Sequence, residues 1–224
     1  MSARGLFVTG TDTDAGKTVV STALLHALRA RGQRAIGMKP VASGCRWSEA
    51  GWRNDDALAL QAASEPGCDY ALVNPYALPE ATAPQIAAAR AGVTLELAPM
   101  LAAYRQLAER ADTVLVEGVG GWLAPLSESI DQGDLVAALQ LQVILVVDLR
   151  LGCINHARLS ERAIRSDGHT LVGWIGNSTQ AQLDFADAYF EALSANLSTP
   201  CLGRLPHAPG TSPNVFAKQL PMAF

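Results

Sequence analysis

Long apolar runs, basic blocks and paired cysteines are all missing from this chain. The longest late apolar run, Val143 to Val147, is far too short for the ~20 residues that a membrane-spanning helix needs. Met1 to Gly5 leads into a short apolar run that soon meets Gly10 and Asp12, so no signal-peptide hydrophobic region fits. The formal charge of -4 and the lack of a Lys/Arg cluster argue against nucleic acid or an anionic membrane as partner. Cys45, Cys68, Cys153 and Cys201 form no C-x-x-C pair and no zinc-like spacing with the four histidines, which leaves reduced thiols and a cytoplasmic location as the expectation. There is no G-x-S-x-G elbow, no Ser/His/Asp or Cys/His set, no fixed-period repeat and no Pro/Gly-rich linker.

What is present is a chain of 224 residues, 49% apolar, the size of one ordinary domain with a sizeable core. Short β-like segments at Gly5 to Thr9, Arg34 to Met38, Thr113 to Glu117, Val143 to Asp148 and Leu171 to Ile175 alternate with helical patterns. The helices are expected near Val20 to Leu28, Leu58 to Ala63, Ala83 to Arg90, Leu97 to Arg110, Leu135 to Gln140, Cys153 to Arg165 and Leu183 to Leu193. Strands that are apolar at nearly every position are buried on both faces, so the alternation predicts an α/β fold around a central, mostly parallel sheet. Pro40 to Arg53 reads as the longest irregular stretch, placed after a strand where it could close over a site.

"GTDTDAGKT", Gly10 to Thr18, follows a strand and opens a helix. Its first glycine lies one place early for G-x-x-x-x-G-K-[ST], yet the context is that of a phosphate loop. Backbone N–H groups and the helix N-terminus can surround phosphate oxygens, with Lys17 and Thr18 placed for terminal phosphates and Mg²⁺. Asp12 and Asp14 make the loop acidic, so a cation is expected to offset them. A nucleotide-switching ATPase of the partition type would carry a lysine five residues before Lys17, where this chain has Asp12.

Three further stretches carry candidate chemistry. Glu117 ends an apolar strand where phosphate-loop enzymes place a metal-binding acid, and Asp148 competes for that role from a similar position. Lys39 in "MKPVASG" reads equally as a surface charge or an anion ligand. In "RNDDALAL", Asn54 or Asp55 suits a helix N-cap and Asp56 its first turn, which read alone favours capping. His156 has no suitably spaced partner and reads as packed or solvated; Asn177 at a strand end could read a purine edge or cap a turn.

Taken together, "VTGTDTDAGKT", "KPVASG", "RNDDALALQ", "VNPYAL", "LVEGVGGW", "QVILVVDLRLGCINH" and "LVGWIGN" closely resemble the dethiobiotin synthetases, from about Leu6 to Leu205. That family's loop is written G-T-D-T-x-x-G-K-T, so the early glycine is a family feature. The resemblance implies a three-layer P-loop NTPase-like fold and one synthetase domain over residues 1–224. It implies a ligase of biotin synthesis that joins 7,8-diaminononanoate and CO₂ at the expense of ATP, with Mg²⁺, as a homodimer. No nucleophile is required, because positioning and charge neutralisation carry such chemistry.

Residue by residue, the resemblance makes Lys17 and Lys39 the catalytic pair. Thr18, Asp56 and Glu117 take the metal positions, overriding the capping reading of Asp56 and setting Asp148 aside. ATP would be held by Asp14, Ala15, Gly16, Lys17, Thr18 and Val19, by Asp56, Glu117, Gly118, Val119 and Gly120, and at the adenine by Asn177, Ser178, Pro206, His207 and Ala208. The diamine would meet Thr13, Lys39, Ser43 and Gly120, and its carboxylate tail Asn155 and Tyr189 across a dimer interface. Asp14 and Ala15 depart from the Glu-Val more familiar in that loop, and the segment from Pro206 onward matches the family least well. Amidating ligases of cobalamin synthesis share the loop but need a glutamine-hydrolysing domain, for which 224 residues leave no room. An inactive homologue would not be expected to keep Lys17, Thr18, Lys39, Asp56 and Glu117 intact.

Overall fold

In the computed structural model, which describes residues 3–220, the continuous apolar segments become strands covered on both faces. The elements run β1 (Arg4–Gly10), α1 (Lys17–Arg29), β2 (Ala35–Met38), β3 (Val41–Ala42), β4 (Arg46–Ser48), β5 (Gly51–Arg53), α2 (Asp55–Ala63), α3 (Tyr70–Val73) and β6 (Tyr76–Ala77). They continue through α4 (Pro84–Ala91), α5 (Leu97–Ala108), β7 (Thr113–Gly121), α6 (Gln132–Leu139), β8 (Gln142–Asp148), α7 (Cys153–Ser166), β9 (Leu171–Asn177), α8 (Ala186–Asn196) and β10 (Cys201–Leu205), followed by a 3₁₀ turn at Pro213–Gln219.

Six strands pair in the order β10-β9-β8-β1-β7-β2, all parallel. Period-two alternation divides their side chains between two apolar layers. Val143, Leu145 and Val147 join Phe7, Val114, Val116 and Trp174 under α5, α6 and α7. Ile144 and Val146 join Leu6, Val8, Leu115 and Ile175 under α1 and α2. The result is the expected three-layer α/β fold. After β1 the chain goes to β2 at one edge and returns by β7, then crosses β1 to β8, so the direction of winding reverses around β1. Open α/β sheets bind ligands at that switch point, beyond the carboxyl ends of the strands.

Several boundaries differ from the sequence reading. Pro40 to Arg53 is not irregular: β3 pairs with β6, and β4 and β5 form an antiparallel hairpin closed by Trp47 and Trp52, 5.3 Å apart edge to face. Cross-strand aromatic contact stabilises so short a hairpin. Helix α8 begins at Ala186 rather than Leu183, because Phe185 takes a left-handed φ of 62° at its N-cap. Helix α6 begins at Gln132, where Asp131 and Asp134 build a capping box. Strand β10 had no expectation attached to it; Gly203 and Arg204 interrupt its apolar pattern.

Candidate functional site

The loop after β1 has its shape fixed by neighbours on three strands. Helix α1 starts without a side-chain cap, because Gly16 occupies the N-cap at φ 85°. Its first N–H groups therefore face the loop unpaired by the helix, an arrangement suited to anions. A side chain at Gly16 would also strike Asn177, whose Nδ2 lies 2.0 Å from where a Cβ would stand. Asn177, at the end of β9, donates Nδ2 to the Ala15 carbonyl at 3.0 Å and so braces the loop directly.

Lys17 Nζ donates to the carbonyls of Asp12 at 3.0 Å and Gly120 at 2.7 Å, spanning the loop from β1 to β7. Burial lowers its pKa to about 8, and the charge of Lys39 adds to the effect. Thr18 Oγ1 donates to Glu117 Oε1 at 2.8 Å. The Lys39 ammonium bridges two carboxylates, Glu117 at 2.7 Å and Asp56 at 2.9 Å. Burial works against that charge, but Glu117 and then Asp56 outweigh it and hold the Lys39 pKa above the ordinary lysine value. Burial likewise opposes the Asp56 anion, and Lys39 overcomes it, leaving Asp56 below the usual carboxylate value.

Asp56 is free for this work because Asn54 caps α2, its Oδ1 accepting from the N–H groups of Asp56 and Ala57. The two readings of "RNDDALAL" thus fall on different residues. Asp148 has both carboxylate oxygens engaged elsewhere, by Thr179 at 2.6 Å and Arg150 at 3.0 Å.

Thr13, Asp14, Gly16, Lys17, Thr18, Val19, Lys39, Ser43, Asp56, Glu117, Val119 and Gly120 line one cavity of about 790 Å³. Ala15 is fully buried beneath it, and Gly118 packs behind it against Phe7 and Gln132. Asn155 and Tyr189 line a separate cavity of about 420 Å³ beside α7, with Arg158 and Arg162. Ser178, Pro206 and His207 line a third, of about 910 Å³, while Ala208 is half-buried against the α1 layer. His156 is half-buried.

A divalent cation fits the donor set of the main cavity. Glu117 is fully buried, and its Oε2 has no hydrogen-bond partner among the described residues, beside the Thr18 hydroxyl. No cluster of three or more His, Cys, Asp or Glu that could hold a metal occurs among the described residues. Two carboxylates and a hydroxyl suit Mg²⁺, which keeps waters and takes phosphate oxygens as its remaining ligands.

Three contributors escaped the sequence reading. Gln132 is buried and holds the turn after Glu117: its Oε1 accepts from the Val119 N–H at 2.8 Å and its Nε2 donates to the Val119 and Gly121 carbonyls at 3.0 and 2.8 Å. Arg150 lies 3.3 Å from Asp12 and supplies part of the cation that the acidic loop called for. Ala81 to Pro84, leading into α4, also line the cavity. Gln132 belongs to no motif, Arg150 lies in the β8 motif with no role attached to it, and only the fold brings both to the loop. Among the described residues no helix is long and apolar enough to cross a membrane.

A family profile described as an AAA domain matches residues 4–215. The ATP-dependent dethiobiotin synthetase BioD of Xanthomonas euvesicatoria pv. vesicatoria is 60% identical over 91% of both chains. The protein of the same name from Xylella fastidiosa is 57% identical over 98% of both. Among solved structures, the MinC:MinD cell division complex of Aquifex aeolicus superposes with a TM-score of 0.57 at 13% identity, over 92% of this chain and 83% of that one. The signal recognition particle receptor FtsY of Elizabethkingia anophelis gives 0.51 at 12% identity, over 96% and 59%. These two likenesses establish the P-loop NTPase fold and nothing finer. With its phosphate loop, Lys17, Lys39, Asp56 and Glu117 lining one cavity, and with relatives this similar over nearly their whole length, the chain belongs to the dethiobiotin synthetase family.

Proposed function

We propose that this enzyme carboxylates and cyclises 7,8-diaminononanoate with CO₂ and ATP, giving dethiobiotin, ADP and phosphate, with residues 1–224 acting as one synthetase domain. The observation that carries the reading is the Lys39 ammonium held between Asp56 and Glu117 in the cavity that Lys17 and Thr18 also line. A fixed cation beside a phosphate loop meets the need of a reaction that builds negative charge on carbamate and phosphoryl oxygens.

In the proposed sequence one amine adds to CO₂ and loses a proton, forming a carbamate. A carbamate oxygen attacks the γ-phosphorus of ATP and displaces ADP. The second amine then attacks the carbonyl carbon of the carbamoyl phosphate, expelling phosphate and closing the cyclic urea. Each amine must be neutral to attack, whereas a free alkylamine has a pKa near ~10, so each must give up its proton before or as it adds. Lys17 holds the β and γ phosphates, exchanging its two carbonyl partners for phosphate oxygens, and Lys39 stabilises the carbamate and the phosphoryl group in transfer. Thr18, Asp56 and Glu117 would hold Mg²⁺, which neutralises charge on the phosphates when bound.

Thr13, Ser43 and Gly120 orient the diamine end. The Ser43 hydroxyl is buried without a partner among the described residues, which supports a ligand contact there. Asn177 spends its Nδ2 on Ala15, so its Oδ1 is the atom suited to a purine amino group, alongside Ser178 and Pro206 to Ala208. The carboxylate tail falls to Asn155 and Tyr189 of a second copy. Leu151 and Leu159, 78% and 56% exposed on the rim of that cavity, support a homodimer contact.

The test is turnover by the purified protein with Mg²⁺, ATP and bicarbonate, with and without 7,8-diaminononanoate. The expected result is ADP and dethiobiotin together, by mass, only with the diamine. ATP hydrolysis indifferent to the diamine, with no cyclic urea, would overturn the proposal.

A further inference from the structure

Asp12 brings a carboxylate into a loop shaped for phosphates, and a chain of charge-assisted contacts holds that carboxylate. Arg150 Nη2 lies 3.3 Å from Asp12 Oδ2, and Arg150 Nε lies 3.0 Å from Asp148 Oδ2. The far end is anchored. Asp148 is 8% exposed, its Oδ1 accepts from Thr179 Oγ1 at 2.6 Å, and its N–H donates to Thr11 Oγ1 at 3.4 Å.

The near end is the more exposed one. The Asp12 side chain is 56% exposed, and Arg150 is the one side chain that holds it among the described residues. Asp12 Oδ1 accepts from the Thr13 N–H at 2.8 Å, and the Asp12 carbonyl accepts from Lys17 Nζ at 3.0 Å. Wherever Asp12 is held, the loop backbone and the resting position of Lys17 follow. Neither Asp12 nor Arg150 lines the 790 Å³ cavity, so their effect on a ligand there passes through the loop. A planar guanidinium can meet two carboxylates along different edges at once, which a lysine ammonium does poorly.

We propose that Arg150 is a positioning residue for ATP: it clamps Asp12 to the end of β8, which aims Lys17 and offsets negative charge where phosphates enter. The inference rests on the loop being the ATP site. ATP binding with Mg²⁺ is measured by calorimetry, and KM and kcat by turnover, for wild type, Arg150→Ala, Arg150→Lys, Asp12→Asn and Arg150→Ala with Asp12→Asn. Thermal unfolding of each ligand-free variant establishes that it is folded.

Arg150→Ala is expected to weaken ATP binding about 5- to 30-fold, the range that one to two kcal/mol spans, with the KM for the diamine within about twofold of wild type. Arg150→Lys keeps a cation without the fork and falls between the two. Asp12→Asn in the Arg150→Ala background recovers part of the loss, because the charge that Arg150 offset has gone. The proposal is overturned if Arg150→Ala binds ATP like wild type, if Asp12→Asn restores nothing, or if the KM values for diamine and ATP rise together. Should Arg150→Ala not fold, Arg150→Lys decides, since ATP affinity equal to wild type in that variant also overturns it. Wild type that binds no ATP overturns the reading of the loop itself and this inference with it.

Discussion

Replacing Lys39 by Met tests the central electrostatic arrangement. The side chain length is nearly kept while the ammonium is lost, leaving Glu117, fully buried, without the cation 2.7 Å from its Oε1. Breaking a buried pair by removing one partner costs about 3–5 kcal/mol. The second pair adds little, because the Asp56 side chain is 44% exposed and water screens it.

The sign of the pH dependence follows. Against the cost of burial, Glu117 and Asp56 hold the wild-type Lys39 pKa above its unfolded value, so the stability its charge contributes is fully present below the ordinary lysine pKa of about 10.4 and is lost as pH rises beyond it. Unfolding followed by circular dichroism at pH 8 is expected to show a midpoint roughly 6–20 °C below wild type. Turnover should fall by a factor on the order of 10²–10³ from loss of charge stabilisation. A deficit below about 1 kcal/mol at pH 8 would refute the reasoning.

Other consequences are as direct. Lys17 has a pKa of about 8 before ATP binds, and phosphates stabilise its charged form. ATP affinity from calorimetry should therefore change little through this group below pH 8, then fall by up to about tenfold per pH unit above it; a flat profile to pH 9.5 would show that Lys17 does not carry the phosphate charge. Gln132→Ala leaves the Val119 N–H and the Val119 and Gly121 carbonyls without that brace, which should cost about 1–3 kcal/mol in chemical denaturation and raise the KM for both substrates. A variant as stable as wild type would mean the turn supports itself. Gly16→Ala meets both a left-handed φ and the Asn177 side chain, so ATP binding should be lost even if the chain folds, and measurable binding would contradict the loop geometry. Chelation with EDTA should abolish turnover and Mg²⁺ restore it; full activity in EDTA would remove the metal role proposed for Thr18, Asp56 and Glu117.

Periodicity located the central strands well because burial on both faces leaves an unbroken apolar run, the one local pattern that long-range packing strongly constrains. Short strands had no such mark. Residues 41–42 and 76–77 pair over only two positions, and the hairpin at 46–53 is stabilised by a contact between Trp47 and Trp52 rather than by alternation. Residue choice within "RNDDALAL" was ambiguous for a related reason. A cap and an ion-pair partner are chemically alike in sequence, and only the approach of Lys39 from the neighbouring strand separates Asn54 from Asp56.

The sequence by itself determined the phosphate loop, the family and the identity of the charged groups, because backbone turns, helix starts and residue chemistry are local properties written over a few positions. The tertiary structure alone decided which charges meet. Glu117 prevails over Asp148 near Lys39 because β7 and β8 flank β1 on opposite sides. Asp12 finds its cation 138 residues away in Arg150, and Gln132 braces a turn 13 residues upstream. Electrostatic and hydrogen-bond energies depend on distance in space, and distance in space is set by how the sheet is wound.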